Sequence, residues 1–265
     1  GGGIGGLSAA IALGRAGHNV TVAERDPQWS VYGVGIIQQA NVVRAMDQLG
    51  VLDSFLDAAS GFEAVEIFLP DGTMAARIPS PRLVEGQPAN VGIARPKLQR
   101  VLAESAVACG ARIRLGVTAE NLVDDGPGVE AAFSDGGSGR YDLVIGADGI
   151  HSRTRQMLFP EAGDPEPAGQ AVWRYNLPRP AGLDALQVYN GPVGIGLVGA
   201  GGLVAFSPPT LLLCVATRTW IRGGDSGVRD AWALTRRLAW RAQAGGLLAT
   251  IALALLLGNA LFYQT

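Results

Sequence analysis

The N-terminal stretch GGGIGGLSAAIAL, residues 1–13, decides the fold of this chain. Its glycines have the G-x-G-x-x-G spacing of a turn that binds a dinucleotide. In such a turn Gly1 allows the sharp bend, Gly3 lets the backbone approach a pyrophosphate, and Gly6 lets the next helix pack closely. The N-terminus of that helix offers free N–H groups and a partial positive charge to the phosphates.

The residues that follow complete a turn, helix, strand and acid. Residues 8–15 have apolar spacing that predicts a helix, which Gly17 ends. Residues 20–23 predict a short strand that ends at Glu24, whose carboxylate can accept hydrogen bonds from ribose hydroxyls. The same charge disfavours NADP at this site, because a 2′-phosphate would meet a like charge. The combination predicts a dinucleotide-binding βαβ unit.

Further helices and strands are predicted along the chain. The helices are expected at residues 40–49 and 96–109, and the strands at 65–69, 113–115, 129–133, 141–145, 172–175 and 186–189. The Pro-Asp-Gly turn at 70–72, directly after the strand at 65–69, predicts a hairpin. The strand at 141–145 is expected to be buried and to deliver Asp148 and Gly149 to a turn that also contains Ser152 and Arg155. That turn either holds a polar loop against a pyrophosphate or is an ordinary turn built from Asp and Gly.

The composition indicates a globular protein with a sizeable core. Hydrophobic residues make up 48% of the chain and charged residues 17%. The formal net charge of -2 gives no reason to expect a nucleic-acid partner. Cys109 and Cys214 have neither metal-ligand spacing nor a disulfide framework, so we expect no metal site and a reducing, cytoplasmic setting.

Four stretches resemble the flavin-dependent aromatic hydroxylases. They are residues 1–13, ER at 24–25, ARPKLQ at 94–99 and GADGIHSRTR at 146–155. This family comprises single-component FAD monooxygenases such as p-hydroxybenzoate and salicylate hydroxylase, which use NADH or NADPH and oxygen to hydroxylate a small aromatic substrate. The resemblance covers roughly residues 1–198, and its most family-specific part is the motif from Asp148 to Arg155.

The resemblance implies an α/β fold in which a Rossmann-like FAD-binding domain is interleaved with a smaller β-sheet region on the substrate side. Residues 1–62 and 90–160 are expected to form the FAD-binding domain. Residues 63–89 and 161–198 are expected to form the substrate-side region, and residues 199–265 are not assigned. In such enzymes the cofactor supplies the chemistry, and the protein supplies binding, orientation and a dry pocket.

The resemblance also implies roles for individual residues. The residues expected to contact FAD are Gly1, Gly3 and Gly6 under the pyrophosphate, Glu24 with Arg25 at the adenosine ribose, Arg95 on the flavin side, Ala119 by its backbone at the adenine, and Asp148 indirectly. Asp148 would also influence NAD(P)H, and the loop from Gly33 to Gly35 would lie near the isoalloxazine. Arg174 would face the substrate and pair with a carboxylate or phenolate. The alternative for Arg95 and Arg174 is an ordinary surface charge.

The chain departs from the family pattern at both ends. No strand precedes Gly1, and the late Gly-Asp motif of the family is absent because Gly224-Asp225 is followed by SGV. We therefore expect the chain as given to bind FAD poorly and to show little or no turnover. A nicotinamide-dependent dehydrogenase is an alternative that explains the glycine turn but not the motif from Asp148 to Arg155.

An almost wholly apolar run extends over residues 245–262. Its length approaches that of a membrane-spanning helix, and Arg236, Arg237 and Arg241 before it would suit a cytoplasmic flank. A buried terminal helix and a loss of the natural reading frame after Gly199 are the other interpretations. The run leaves open two alternatives, a non-catalytic FAD-binding remnant and a membrane-tethered FAD-binding protein. The second would be membrane-associated through this run.

Overall fold

The computed structural model describes residues 1–166, 171–175, 182–191, 194–199 and 202–207. The apolar run at 245–262 and the Gly224-Asp225 pair lie outside these residues. Within the described part, no helix is both long enough and apolar enough to span a membrane.

Two helices and a parallel strand pair form the N-terminal layer. Helix α1 (Ile4–Arg15) leads into strand β1 (Thr21–Glu24), which pairs in parallel with β7 (Arg112–Leu115). Helix α4 (Arg95–Ala108) packs against α1. The helices approach closely because α1 carries a glycine where they meet: a methyl group at Gly14 would lie 2.7 Å from the carbonyl oxygen of Cys109.

The main core lies beneath these helices. Its fully buried side chains include Leu7 and Ile11 of α1 together with Leu98 and Leu102 of α4. Each such side chain contributes about 1.5–3 kcal/mol through removal of apolar surface from water. The apolar spacing that predicts α1 and α4 therefore also identifies the faces that hold the layer together.

A second group of elements covers the other side of this core. It contains helices α2 (Ala40–Gln48) and α3 (Leu52–Asp57) and an antiparallel sheet in the order β2–β6–β3. The strands of that sheet are β2 (Gly35–Gln38), β3 (Ser60–Phe62) and β6 (Asn90–Ala94). Strand β6 runs directly into α4, so the sheet sets the position of the first residue of that helix.

A separate three-stranded antiparallel sheet follows β7. Its strands are β8 (Ala119–Asp124), β9 (Val129–Phe133) and β10 (Ser138–Tyr141), and β9 lies in the middle. This sheet has a small separate core, formed by Val117, Ala131 and Phe133. Helix α5 (Arg153–Leu158) and a short 3-10 helix (Pro160–Ala162) come after this sheet.

A six-stranded sheet combines two distant parts of the chain in the order β11–β14–β13–β12–β4–β5. The early strands are β4 (Ala64–Phe68) and β5 (Met74–Pro79), which form the hairpin predicted from the Pro-Asp-Gly turn at 70–72. The late strands are β11 (Ala171–Tyr175), β12 (Leu186–Gly191), β13 (Gly194–Gly199) and β14 (Gly202–Ser207). Strand β12 pairs in parallel with β4.

The helices and sheets confirm the predicted α/β class. The prediction of a buried strand at residues 141–145 was wrong. Strand β10 ends at Tyr141, and Leu143 and Ile145 are 66% and 48% exposed. A buried strand needs neighbours to accept its backbone hydrogen bonds and to cover its side chains. Among the described residues, none pairs with this segment in that way.

Candidate functional site

The glycine turn lies directly against the segment that carries Asp148. A methyl group at Gly1 would lie 2.9 Å from the Cα atom of Asp148, and one at Gly6 would overlap the carbonyl oxygen of Gly1. At Gly3, by contrast, a methyl group would meet nothing within 4 Å among the residues that the structure describes. The first and third glycines are therefore needed for packing, whereas the middle glycine borders open space that a ligand can enter.

The start of α1 opens onto the same space. The helix begins at Ile4 after Gly3, and no side chain caps it. The N–H groups of a first helical turn have no acceptor within their own helix, and they carry the positive end of the helix dipole. Gly3 and Gly5 are both exposed. This combination of free N–H groups, positive potential and room suits an anion such as a pyrophosphate.

Glu24 fastens the turn to the end of β1. Its Oε2 atom accepts a hydrogen bond of 2.7 Å from the N–H of Gly2, and its Oε1 atom accepts one of 2.9 Å from the N–H of Asp26. Each carboxylate oxygen has a second lone pair, which leaves it able to accept a ribose hydroxyl as the sequence predicts. Arg25, the next residue, is exposed.

Two residues that sequence analysis left without a role also hold the turn. The indole Nε1 of Trp29 and the amide Nε2 of Gln99 both donate to the carbonyl oxygen of Gly2, at 2.8 and 2.6 Å. Gln99 is only 7% exposed. A glutamine between the buried Leu98 and the apolar positions of the next turn of α4 is a signal that could have indicated such a contact, because a buried amide needs partners.

The backbone of Trp29 is unusual. Its φ of 49° lies in the left-handed region, and no other non-glycine residue of the described part has a positive φ. This conformation costs an L-residue about 1–2 kcal/mol, so surrounding contacts must hold it. Local sequence gives no signal for it.

Asp148 organises the opposite turn through its own hydrogen bonds. Its Oδ1 atom accepts a bond from the Ser152 hydroxyl, and its Oδ2 atom accepts one of 3.0 Å from the N–H of Thr154. The Ser152 oxygen in turn caps α5 by accepting from the N–H of Arg155 at 3.0 Å. Burial raises the pKa of Asp148, but the hydrogen bonds from Ser152 and Thr154 together lower it by more than burial raises it. The pKa of Asp148 therefore lies below its ordinary value.

The guanidinium of Arg155 has hydrogen-bond donors in this turn that lack an acceptor among the described residues. Its Nε and Nη2 atoms are buried and find no hydrogen-bond partner among the described residues. A buried guanidinium without an acceptor is costly, and an anion near it would relieve that cost. These unpaired donors favour an anion beside the turn from Asp148 to Arg155.

Arg95 and the loop around Gly33 lie together. Arg95 is the exposed first residue of α4, and a methyl group at Gly33 would lie 3.4 Å from its Cδ atom. Gly33 has a φ of 135°, which an L-residue rarely adopts. The antiparallel pairing of Gly35 with Ala94 brings these two segments side by side.

Ala119 and Arg174 lie in strands of other sheets. Ala119 begins β8, and two residues before it the N–H of Val117 donates to the carbonyl oxygen of Glu24 at 2.9 Å. Ala119 is thus near the end of β1. Arg174 belongs to β11 of the six-stranded sheet, where it pairs with Val204.

Comparison with known proteins gives a family for this geometry. Residues 1–168 match the model of the family described as FAD binding domain. YetM of Bacillus subtilis (strain 168), which carries the name of an FAD-dependent monooxygenase, is 32% identical over 201 residues, covering 75% of this chain and 54% of YetM. A 2-heptyl-3-hydroxy-4(1H)-quinolone synthase of Mycobacteroides abscessus is 36% identical over 161 residues, covering 60% of this chain and 41% of that protein.

The fold is also similar to that of solved structures. The crystal structure of CtdE in complex with FAD and a substrate superimposes with a TM-score of 0.66 at 23% identity, covering 79% of this chain and 56% of CtdE. The chain spans about half the length of the curated relatives it matches. Since the family model covers more than half of the chain, the protein belongs to the FAD-binding domain family.

Proposed function

We propose that this chain is the FAD-binding part of a monooxygenase that hydroxylates a small aromatic substrate with NADH or NADPH and oxygen. The observation that carries the proposal is the direct packing of the open glycine turn against the Asp148 turn. The family match favours a flavin over the nicotinamide of a dehydrogenase, and YetM has a name from the same enzyme class.

The residues present fit FAD. A methyl group at Gly3 would meet no atom of the described residues within 4 Å, apart from its neighbours in the chain, and this space adjoins the uncapped start of α1. In our proposal the N–H groups of that turn hold the pyrophosphate and Glu24 accepts a ribose hydroxyl, with Arg25 beside it and the backbone near Ala119 at the adenine. FAD, once reduced by NAD(P)H, supplies the oxygen activation in enzymes of this class.

Two arginines have proposed roles near the cofactor. Arg95 extends along Gly33, so it borders the loop that we place near the flavin ring. Arg155 has buried, unpaired donors behind Asp148, so it can stabilise negative charge near the turn. Asp148 keeps its turn in shape by accepting from Ser152 and Thr154, and in our proposal it thereby influences both FAD and NAD(P)H.

The register of the six-stranded sheet supports Arg174 as a substrate-side residue. Arg174 pairs with Val204, Val204 with Leu197, and Leu197 with Val188. Leu186 lies two positions before Val188 in β12, so these two residues share a face of the sheet.

That face points toward strand β2 of the FAD-binding layer. A methyl group at Gly199 would lie 3.3 Å from Leu186 Cδ1 and 3.9 Å from Ile37 Cδ1. The sheet therefore turns its Leu186 face to the strand that follows the Gly33 loop. We place Arg174 on the substrate side because it lies in a strand of this sheet, and a guanidinium is suited to a substrate carboxylate or phenolate.

The first substrate to test is a 4-quinolone without a 3-hydroxyl group, because one relative is named as a 2-heptyl-3-hydroxy-4(1H)-quinolone synthase. The balanced reaction consumes oxygen, NAD(P)H and a proton, and yields the hydroxylated ring, NAD(P)⁺ and water.

The test begins with an absorbance spectrum of the purified chain after incubation with FAD and desalting. Retained flavin bands near ~375 and ~450 nm support the cofactor site. Oxidation of NADH or NADPH is then measured with and without the quinolone, and product is identified by mass. We expect Arg174→Met to raise KM for an anionic substrate, whereas Arg82→Met, at an exposed ion pair with Glu63, leaves it unchanged.

The outcomes separate the parts of the proposal. A colourless protein contradicts tight binding of FAD by this chain. Retained flavin without NAD(P)H oxidation supports an FAD-binding protein that does not catalyse the reaction, which was the alternative left open by the sequence. Substrate-dependent NAD(P)H oxidation with a hydroxylated product supports the full proposal.

A further inference from the structure

We propose that Trp29 and Gln99 are positioning residues that orient the N–H of Gly3 toward the phosphates of FAD. We call the two side chains the Gly2 clamp, since both donate to the carbonyl oxygen of Gly2. The inference deepens the proposed function and rests on the glycine turn being the pyrophosphate site.

The clamp joins segments that are far apart in the chain. Trp29 lies in the loop after β1, and Gln99 lies on α4, 97 positions beyond Gly2. Glu24, at the end of β1, accepts the N–H of the same glycine at 2.7 Å. Both polar groups of Gly2 are therefore held by side chains, three in total, from three different segments.

Because the peptide bond is planar, fixing the carbonyl of Gly2 also fixes the direction of the N–H of Gly3. A trans peptide unit is planar, so the carbonyl of Gly2 and the N–H of Gly3 point in opposite directions. The carbonyl points at Gln99, which is buried in the protein. The N–H of Gly3 must then point away from the protein interior, on the exposed side where a methyl group at Gly3 would meet nothing within 4 Å.

A glycine turn needs such a restraint. Glycine has no Cβ atom, so the peptide between two glycines can rotate at little steric cost. A flipped Gly2–Gly3 peptide would present a carbonyl oxygen to the phosphate in place of an N–H group. Because a flip must break two hydrogen bonds to the Gly2 oxygen, the clamp holds the turn in the binding orientation before the ligand arrives.

The backbone of Trp29 is consistent with this role. Its left-handed φ of 49° is a strained conformation, and strain of this kind is typically maintained at functional sites. In that conformation the indole N–H reaches the Gly2 oxygen.

The test compares clamp variants of the full chain in FAD titrations followed by flavin fluorescence. Trp29→Phe keeps an aromatic ring but removes the N–H, and Gln99→Leu keeps the volume but removes the amide. We expect each to weaken FAD binding about fivefold, the effect of one hydrogen bond, and the double variant to weaken it by more than tenfold. Trp29→Phe alone carries the test if the loss of Gln99 unfolds the chain.

A control and a second ligand separate positioning from general destabilisation. Ser105→Ala removes another hydrogen bond on α4, from Ser105 to the carbonyl of Val101, and should leave FAD binding unchanged. In the clamp variants the affinity of the protein for ADP, which has a pyrophosphate, should fall together with its affinity for FAD. Its affinity for adenosine should stay unchanged. Midpoints of thermal unfolding without ligand are recorded for every variant.

Each result decides the inference. Selective loss of FAD and ADP binding supports the clamp. Unchanged FAD affinity in the double variant, or equal loss of ADP and adenosine affinity, overturns it while leaving FAD binding in place. Failure of the unaltered chain to bind either FAD or ADP would overturn the proposed function, and the clamp with it.

Discussion

The two turns that meet at Gly1 and Asp148 are built in different ways. The glycine turn is held by backbone packing and by side chains 22, 27 and 97 positions away. The Asp148 turn is held by hydrogen bonds to residues only four and six positions later. One turn is thus part of the main core, and the other is organised by its own neighbours.

The difference shows how the two turns depend on the rest of the molecule. Leu7 and Ile11 follow the glycine turn in α1 and are fully buried, so a change in the turn shifts the core. The Asp148 turn adjoins exposed apolar side chains, among them Leu143, Ile145 and Ile150. We therefore expect changes at the closely packed glycines of the first turn, Gly1 and Gly6, to affect stability most and changes in the Asp148 turn to have smaller, local effects.

The largest effect is expected for Gly6→Ala. The added methyl group would overlap the carbonyl oxygen of Gly1, so α1 would have to move from its neighbours, with a loss of about 3 kcal/mol or more in the free energy of unfolding. Gly5→Ala is the matched control, because a methyl group there meets nothing within 4 Å and should stabilise the helix by about 0.5–1 kcal/mol. Urea denaturation measures the free energy of unfolding of both variants. Equal stability of the two would contradict the close approach of Gly6 to the carbonyl oxygen of Gly1.

Gly3→Ala is expected to separate binding from folding. A methyl group at Gly3 meets no atom within 4 Å in the described part of the chain, so the unfolding midpoint of the ligand-free chain should change little. The methyl group would occupy the space proposed for the pyrophosphate, so FAD affinity should fall about 10- to 100-fold. Titration with FAD checks this, and full affinity in the variant would place the phosphates elsewhere.

Asp148→Asn is expected to lower the free energy of unfolding by about 1–2 kcal/mol at neutral pH. The amide cannot accept hydrogen bonds from both Ser152 and Thr154 as the carboxylate does. The pKa of Asp148 is lowered in the folded state from 3.8. Its stabilisation is therefore complete well above pH 3.8 and is lost as the pH falls through the folded-state value.

Urea denaturation of both proteins between neutral and acidic pH measures this difference. The gap between the original chain and Asp148→Asn should narrow as the pH falls below about 4. A gap that stays constant over this range would show that ionisation of Asp148 does not stabilise the turn.

The smallest effect is expected for Gly149→Ala. Gly149 has a φ of 85°, but a methyl group there meets nothing within 4 Å. Only backbone strain should remain, at a cost of about 1 kcal/mol to the free energy of unfolding. A cost as large as that of Gly6→Ala would mean that the Asp148 turn is coupled to the core as tightly as the glycine turn.

Local patterns were sufficient for many elements of the fold. Apolar spacing located α1, α2 and α4, and the Pro-Asp-Gly turn located the hairpin of β4 and β5. These elements follow from period and turn chemistry, which act over a few residues. The mistaken strand at 141–145 has the right composition, but a strand forms only when a neighbour accepts its backbone hydrogen bonds.

Within the site, the sequence by itself determined the residues whose chemistry is local. The glycine spacing and Glu24 at the end of β1 follow from short-range pattern, whereas the motif after Asp148 takes its expected role from the family resemblance. Only the tertiary structure decided that Gln99 and Trp29 meet at the carbonyl of Gly2 and that Gly1 lies on Asp148. Contacts between segments up to 147 positions apart depend on how the helices and sheets pack, and no local propensity encodes that packing.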